Sequence, residues 1–206
     1  MRNRILTITI IMIMALLATG CGATKTVTSA DGEKYTVNDQ SVKANEGFAR
    51  SDEDGNLTAL LENDPDATSV ASVVIRWADL TGNRSWETIQ GDEEYGLFSE
   101  ELKDVLINEQ DDINQTRMGY EAQQTETKVG DIKASNIVIF PDGAAYGVVE
   151  YDMTLINSID LEAAAEVGFD GIGSTKHSKF EFELQPDENG DYKITSFNNI
   201  SDWKDK

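Results

Sequence analysis

The chain has 206 residues and carries 17 Lys and Arg against 38 Asp and Glu, a formal charge of −21. A surface of that sign repels polyphosphate, which excludes nucleic acid as a partner. It favours solubility and leaves a basic protein as the counterpart that the charge would attract. One cysteine (Cys21) and one histidine (His177) exclude disulfides, cysteine-rich zinc sites and a Cys–His nucleophile in the body of the chain.

Arg2 and Arg4 precede an apolar run, Ile5 to Leu17, broken only by Thr7 and Thr9, and small residues lead from it to Cys21. A charged start, a short apolar stretch and a small-residue exit have the layout of a secretory leader. The run is short for a helix that crosses a bilayer. Leu17-Ala18-Thr19-Gly20-Cys21 resembles a bacterial lipobox, in which the cysteine is diacylated and becomes the new N-terminus. That resemblance implies removal of residues 1–20, a lipid anchor on Cys21 and a place on the extracytoplasmic face of a bacterial cell membrane. Cleavage removes two bases and no acid, which leaves a charge of −23. Anionic lipid repels such a surface, so acyl chains must do the holding, at about 0.8 kcal/mol per buried CH₂.

Residues 21–65 read as an acidic flexible tether. Ten acids lie between Gly22 and Asp66 against Lys25, Lys34, Lys43 and Arg50, with few large apolar residues to offset the entropy of ordering. Two local exceptions are expected. Thr26-Val27-Thr28 and Lys34 to Val37 flank the turn pair Asp31-Gly32. Leu57, Leu60 and Leu61 fit one helical turn.

A folded domain is expected over 66–206. After Pro65, with Asp66 or Thr68 as cap, Val70, Val73, Val74 and Trp77 form an apolar helical stripe that Leu80 extends. Thr81-Gly82-Asn83 stops it. Trp86 and Ile89 suggest a short amphipathic piece, and Ser99 caps a helix to Leu106 with Leu102, Val105 and Leu106 inward. Beyond Thr116 the period changes to two. Met118, Tyr120 and Ala122 suggest a strand, Ile132 to Phe140 a second, and Pro141-Asp142-Gly143 a turn. In the next strand Gly147, Val149, Tyr151, Met153 and Leu155 share one face. Tyr146, Val148, Glu150, Asp152 and Thr154 share the other. Asp160 caps a helix from Leu161 to Val167, closed by Gly168 and a glycine-rich loop to Gly173. Lys176 to Gln185 alternates Phe180, Phe182 and Leu184 inward with Lys179, Glu181 and Glu183 outward, and Tyr192 to Ile200 returns.

Helices followed by successive strands predict an α+β domain, with N-terminal helices on a curved antiparallel sheet of four to six strands. The succession Val73 to Trp77, Asp79 to Asn83, Trp86 to Ile89 and Ser99 to Leu102 resembles the nuclear transport factor 2-like family over roughly 66–201. The resemblance implies a cone in which a curved sheet wraps a long helix. It extends to small bacterial lipoproteins and to components of conjugation and type IV secretion machines. The segment Asn157 to Ser174 departs from the simplest version of that pattern.

Family membership of this kind supplies no activity. His177 beside Lys176 and Lys179 reads as a strand-edge residue, and Asp152 as an outward polar position; one carboxylate without a partner is no mechanism. Neither Asp52 to Asn56 nor Asp187 to Asp191 has calcium-loop spacing, since Leu57 and Tyr192 stand where glycine is required. Gly168, Gly171 and Gly173 lack the Lys-Ser/Thr of a phosphate loop. Nine acids between Asp92 and Asp112, against Lys103 alone, read as a solvated face or a docking face for a basic partner. Trp77 and Trp86 read as core. These observations favour a non-enzymatic interaction or envelope-assembly protein, held to the membrane by its acylated N-terminus, with a protein partner and no cofactor or metal. The alternative is a small-ligand binder whose cone interior is lined by Tyr151, Met153, Phe180 and Phe182.

Overall fold

The computed structural model describes residues 47–201 except position 62, together with the strands Lys25–Thr28 and Lys34–Val37. The expected leader and Cys21, and residues 22–24, 29–33, 38–46 and 62 of the expected tether, lie outside the described residues. The protein is α+β. Strands β1 (Lys25–Thr28), β2 (Lys34–Val37), β3 (Phe48–Ser51) and β4 (Leu57–Ala59) come first. They are followed by α1 (Pro65–Gly82), α2 (Glu100–Asp104) and α3 (Asp112–Gln123). Then come β5 (Glu126–Ile139), β6 (Ala145–Asn157), α4 (Leu161–Glu166), β7 (Thr175–Pro186) and β8 (Tyr192–Asn199). The described strands form one sheet in the order β1-β2-β4-β3-β5-β6-β7-β8.

The sheet differs from the expected antiparallel one. β5 to β8 form an antiparallel meander, but β3 pairs parallel to β5 and β2 parallel to β4. β4 turns back antiparallel to β3, and the helical connection from β4 then returns the chain to the other side of β3, where β5 runs in the direction of β3. The β1–β2 hairpin forms as its turn signal predicts, with Thr26 opposite Thr36. The Leu57–Leu61 helical turn does not form. Leu57 to Ala59 are extended against β3, with Ala49 opposite Ala59, and the Asp52 carboxylate accepts the Asp54 and Asn56 amides to close the hairpin between them. Phe48–Ala59, assigned to the tether by its charge, therefore lies on the sheet, where Ala49 is fully enclosed.

Helix α1 starts one turn earlier than its apolar stripe suggests. Asp64, not Asp66 or Thr68, is the cap; its carboxylate accepts the Asp66 and Ala67 amides, both at 3.1 Å, with Pro65 in the first turn. Ala67, Val70, Ala71, Val74, Trp77 and Ala78 form the buried stripe. They pack on the inner sheet face made by Ile137, Ile139, Val149, Tyr151, Phe182, Leu184 and Ile194. Trp77 meets the rings of Phe180, Phe182 and Phe197 at 4.8, 5.0 and 5.6 Å.

Ser99 caps α2 by accepting the Leu102 amide, and the helix runs on as a wide π-turn over Val105–Glu109. Trp86 and Ile89 occupy a turn rather than a helix, with the Ile89 amide on the Ser85 carbonyl. The strand expected at Met118, Tyr120 and Ala122 is α3. Its part-buried positions, Asp112, Ile113, Thr116, Arg117, Gly119, Tyr120 and Gln123, recur every three or four residues, which the two-residue alternation obscured. On β6, Tyr146 and Val148 are buried although they share the outer face with the half-buried Glu150, Asp152 and Thr154.

Gly82 ends α1 where the helix passes closest to the sheet. A Cβ there would stand 2.8 Å from Val129 Cβ and 3.5 Å from the Tyr151 ring. Alanine is favoured over glycine in a helix by about 1 kcal/mol, but this overlap involves a β-branched carbon that cannot rotate away, and overpacking costs about 1–3 kcal/mol. Gly82→Ala should therefore lower the denaturation midpoint, measured by urea titration, despite its better helix propensity.

Candidate functional site

The four residues expected to line an open cone interior share one face, as their alternation requires, but the face is filled. Phe182 and Tyr151 are fully buried in the main core, and Met153 and Phe180 pack against it. Tyr151 stacks on Phe180 with ring centroids 6.2 Å apart. Burial pushes the Tyr151 phenol up to about 12. Val70, Val74 and Trp77 of α1 belong to the same packed cluster as these four.

His177 and Asp152 come together, on the outer face. They are opposite one another in the β6–β7 register, with Nδ1 3.0 Å from Oδ1. Glu150 lies 3.8 Å from the other ring nitrogen and 3.4 Å from Lys179 Nζ. His177 and Asp152 are 56% and 47% exposed, so water screens the pair. Thr154 with Thr175 and Tyr146 with Glu181 continue this ladder of polar pairs along the strands. The His177–Asp152 end of this ladder is solvated, whereas at the other end burial, with Glu181 beside it, holds the Tyr146 phenol above its ordinary range. Among the described residues no group of three or more His, Cys, Asp or Glu is placed to hold a metal ion.

The acidic run is partly internal, which corrects its assignment as a solvated face. Glu94 is buried and pairs with Arg84 at 2.5 Å, their side chains 8% and 10% exposed. Arg84 also stands over the Tyr120 ring, 5.9 Å from its centroid. Burial alone pulls this guanidinium down, but the charge and hydrogen bond of Glu94 outweigh it and leave a net upward shift. Asp112 accepts the Tyr95 hydroxyl at 2.6 Å; burial first, and Asp112 second, drive that phenol well above its ordinary range. Glu93 accepts the Gln90 and Gly91 amides. This network pins the segment after α1 to α3 and to the start of β5. Arg84 Nε, Glu94 Oε2 and Thr127 Oγ1 are buried in it without a hydrogen-bond partner among the described residues. The sequence offered one sign of it, a lone Arg84 flanked by Gly82 and Trp86 ahead of an acid-rich stretch.

The exposed apolar side chains are unevenly spread. Of the nine large ones among the described residues, Ile156 lies at the end of β6, and four more (Ile159, Leu161, Val167 and Ile172) lie between β6 and β7. The comparisons with known proteins add no family: no family model matches the chain, and no curated protein matches it. Among solved structures, the intermembrane space region of the chloroplast protein ARC6 is similar at 10% identity, with a TM-score of 0.42, over 67% of this chain and 98% of that one. A likeness of that size carries no argument.

Two outcomes follow from the electrostatics. Glu94→Ala strands the Arg84 charge in the interior and should cost about 3–5 kcal/mol in equilibrium unfolding, whereas Arg84→Met with Glu94→Leu should be close to neutral or stabilising. Burial, with Glu181 beside it, holds the Glu183 carboxyl above its ordinary range. Folding thus favours its protonated form, and the cost of its charge appears only as pH rises through that range. Glu183→Gln should raise Tm at about pH 7 and leave it unchanged at about pH 3.5, as read by thermal melts.

Proposed function

We propose that this chain is a lipid-anchored, non-enzymatic interaction module on the outer side of a bacterial membrane. The leader and the lipobox-like Leu17 to Cys21 support the anchor and the location. The observation that carries the interaction role is the distribution of apolar surface: α1 packs on the inner sheet face, while five of the nine exposed large apolar side chains among the described residues sit between Ile156 and Ile172. Exposed apolar groups concentrated in one place mark a contact surface more often than chance scatter does.

We read the described helices and meander as a nuclear transport factor 2-like cone. The long α1 lying across the inner face of β5, β6 and β8 is in keeping with that fold. Its use as an assembly component of a conjugation or secretion machine is the concrete version that the family resemblance suggests. The ligand-binding alternative loses its footing, because Tyr151, Met153, Phe180 and Phe182 are engaged with α1 and with one another.

The test is made on the full chain in its native envelope. Cys21→Ala should move it from the membrane to the soluble fraction, and mass spectrometry of the wild type should find a diacylated Cys21 as the first residue. Crosslinking in intact cells should give discrete adducts with another protein. An intact leader or an unmodified Cys21 thiol overturns the anchoring; the absence of any discrete adduct overturns the interaction role.

A further inference from the structure

The excursion from Ile156 to Ser174 is a built platform. At its base Thr154 and Thr175 are paired, the Leu155 amide donates to the Ser174 carbonyl at 3.0 Å, and the Gly173 amide donates to the Leu155 carbonyl at 2.7 Å. The chain therefore leaves and re-enters the sheet at one point, so every side chain on the excursion is held at the same end of the molecule. It has its own small core of Leu155, Ala164 and Phe169, with Met153 packed against it. Asp160 caps α4 by accepting the Ala163 amide. Three bonds tie it sideways to the end of α3: the Ile159 amide and the Ser158 hydroxyl to the Gln123 carbonyl, and the Asn157 side-chain amide to the Gln124 carbonyl.

This scaffold presents Ile159, Leu161, Val167 and Ile172 to solvent at 64, 49, 49 and 58% exposure. A small core that spends Ala164 and Phe169 inward had apolar residues available to bury, yet these four face out. Between them stand Asp160, Glu162, Glu166 and Asp170, and no Lys or Arg occurs from Asn157 to Ser174. The nearest base in sequence, Lys176, is turned inward, where its ammonium donates to the Val167 carbonyl at 2.9 Å and lies 4.6 Å from the Phe169 ring centroid. The patch is thus apolar and single-signed.

We propose that the 156–174 excursion is a docking surface for a cationic amphipathic protein segment, with apolar residues seated on Ile159, Leu161, Val167 and Ile172 and Lys or Arg set against Glu162, Glu166 and Asp170. Charge decides among the candidate occupants. A second copy of this chain would bring the same carboxylates face to face, within a molecule already at −21. An anionic bilayer would meet the same repulsion. A cationic segment gains area from the apolar residues and steering from the acids.

This inference rests on the interaction role proposed above, and its test separates the two. The probe is an 18-residue amphipathic helix of Leu and Lys, titrated against the wild-type chain and three variants by fluorescence anisotropy. The first variant carries Ile159→Ser, Leu161→Ser, Val167→Ser and Ile172→Ser. The second carries Glu162→Gln, Glu166→Gln and Asp170→Asn. The third removes three exposed acids elsewhere, through Glu53→Gln, Glu101→Gln and Glu109→Gln. The four-serine variant should bind at least about tenfold more weakly than wild type. The second variant should bind about fivefold more weakly, with a shallower salt dependence, and the third should stay within about twofold of wild type. Equal losses in the second and third variants would reduce the effect to bulk charge and overturn the proposal. So would concentration-dependent dimers, or adsorption to phosphatidylglycerol vesicles, that the four serines abolish. Crosslinked adducts that form in cells but map outside 156–174 would sink the surface and leave the interaction role standing.

Discussion

Everything in the described domain leans on the contact between one stripe of α1 and the aromatic inner face of the sheet. Val70 and Val74 have no exposed surface, and Trp77 reaches three phenylalanine rings at once. The consequence runs outward from Phe197. Phe98 stacks on it at 5.8 Å, which draws in the segment just before α2. That segment then covers the free side of β8: the Ser99 amide donates to the Ile194 carbonyl and Lys193 Nζ to the Gly96 carbonyl. An edge strand with unpaired backbone groups invites pairing with another chain. Here the ring that completes the core also places the backbone that blunts the edge.

The polar counterpart is the Arg84–Glu94 pair, which acts where apolar packing gives no direction. From Asn83 to Glu94 the chain has few large apolar residues, and only Ile89 is buried among them. An ion pair drawn out of water is poor at adding stability, because desolvation offsets most of the attraction. Two buried atoms of the pair lacking partners make that balance worse. What the pair does supply is a single allowed path: Arg84 meets Glu94 and the Tyr120 face together only when the loop and α3 are both in place. The π-turn over Val105–Glu109 and the left-handed Asp111 then bring Asp112 to the Tyr95 hydroxyl, which locks the other end of the same loop.

What the sequence made legible follows from which forces are local. The alternation of Phe180, Phe182 and Leu184 with Lys179, Glu181 and Glu183 is a direct record of a half-buried strand, and the register shows it. The α1 stripe and the Ser99 and Asp160 caps are equally local. Three features were not. Met118, Tyr120 and Ala122 alternate by accident on a helix that buries no residue fully, so its amphipathic signal is faint. Leu57 to Ala59 are extended because β3 and β2 pair with them, a contact that charge counting over the tether could not register. Glu94 is one acid among nine in its run, and its burial depends on an arginine ten residues upstream. Tyr151, Met153, Phe180 and Phe182 do face inward together, as their alternation requires, but that α1 packs against them is a long-range contact that no local pattern records.

A filled interior moves the question of function to the periphery, and the periphery is not uniform. On the outer face of β6 and β7 the side chains satisfy one another, Tyr146 with Glu181, Asp152 with His177 and Thr154 with Thr175, so that surface has little left to offer a partner. The 156–174 excursion is the reverse case. It carries its own small core, joined to the one under α1 through Met153, and its bonds to α3 are to backbone carbonyls at Gln123 and Gln124 that need no particular side chain there. Its outward residues are therefore free to change without disturbing the main core, the condition under which a loop on a rigid scaffold carries function. That four of them are nonetheless apolar, among acids, in a chain with strong reason to stay soluble, is a cost to the free protein that a bound partner would remove.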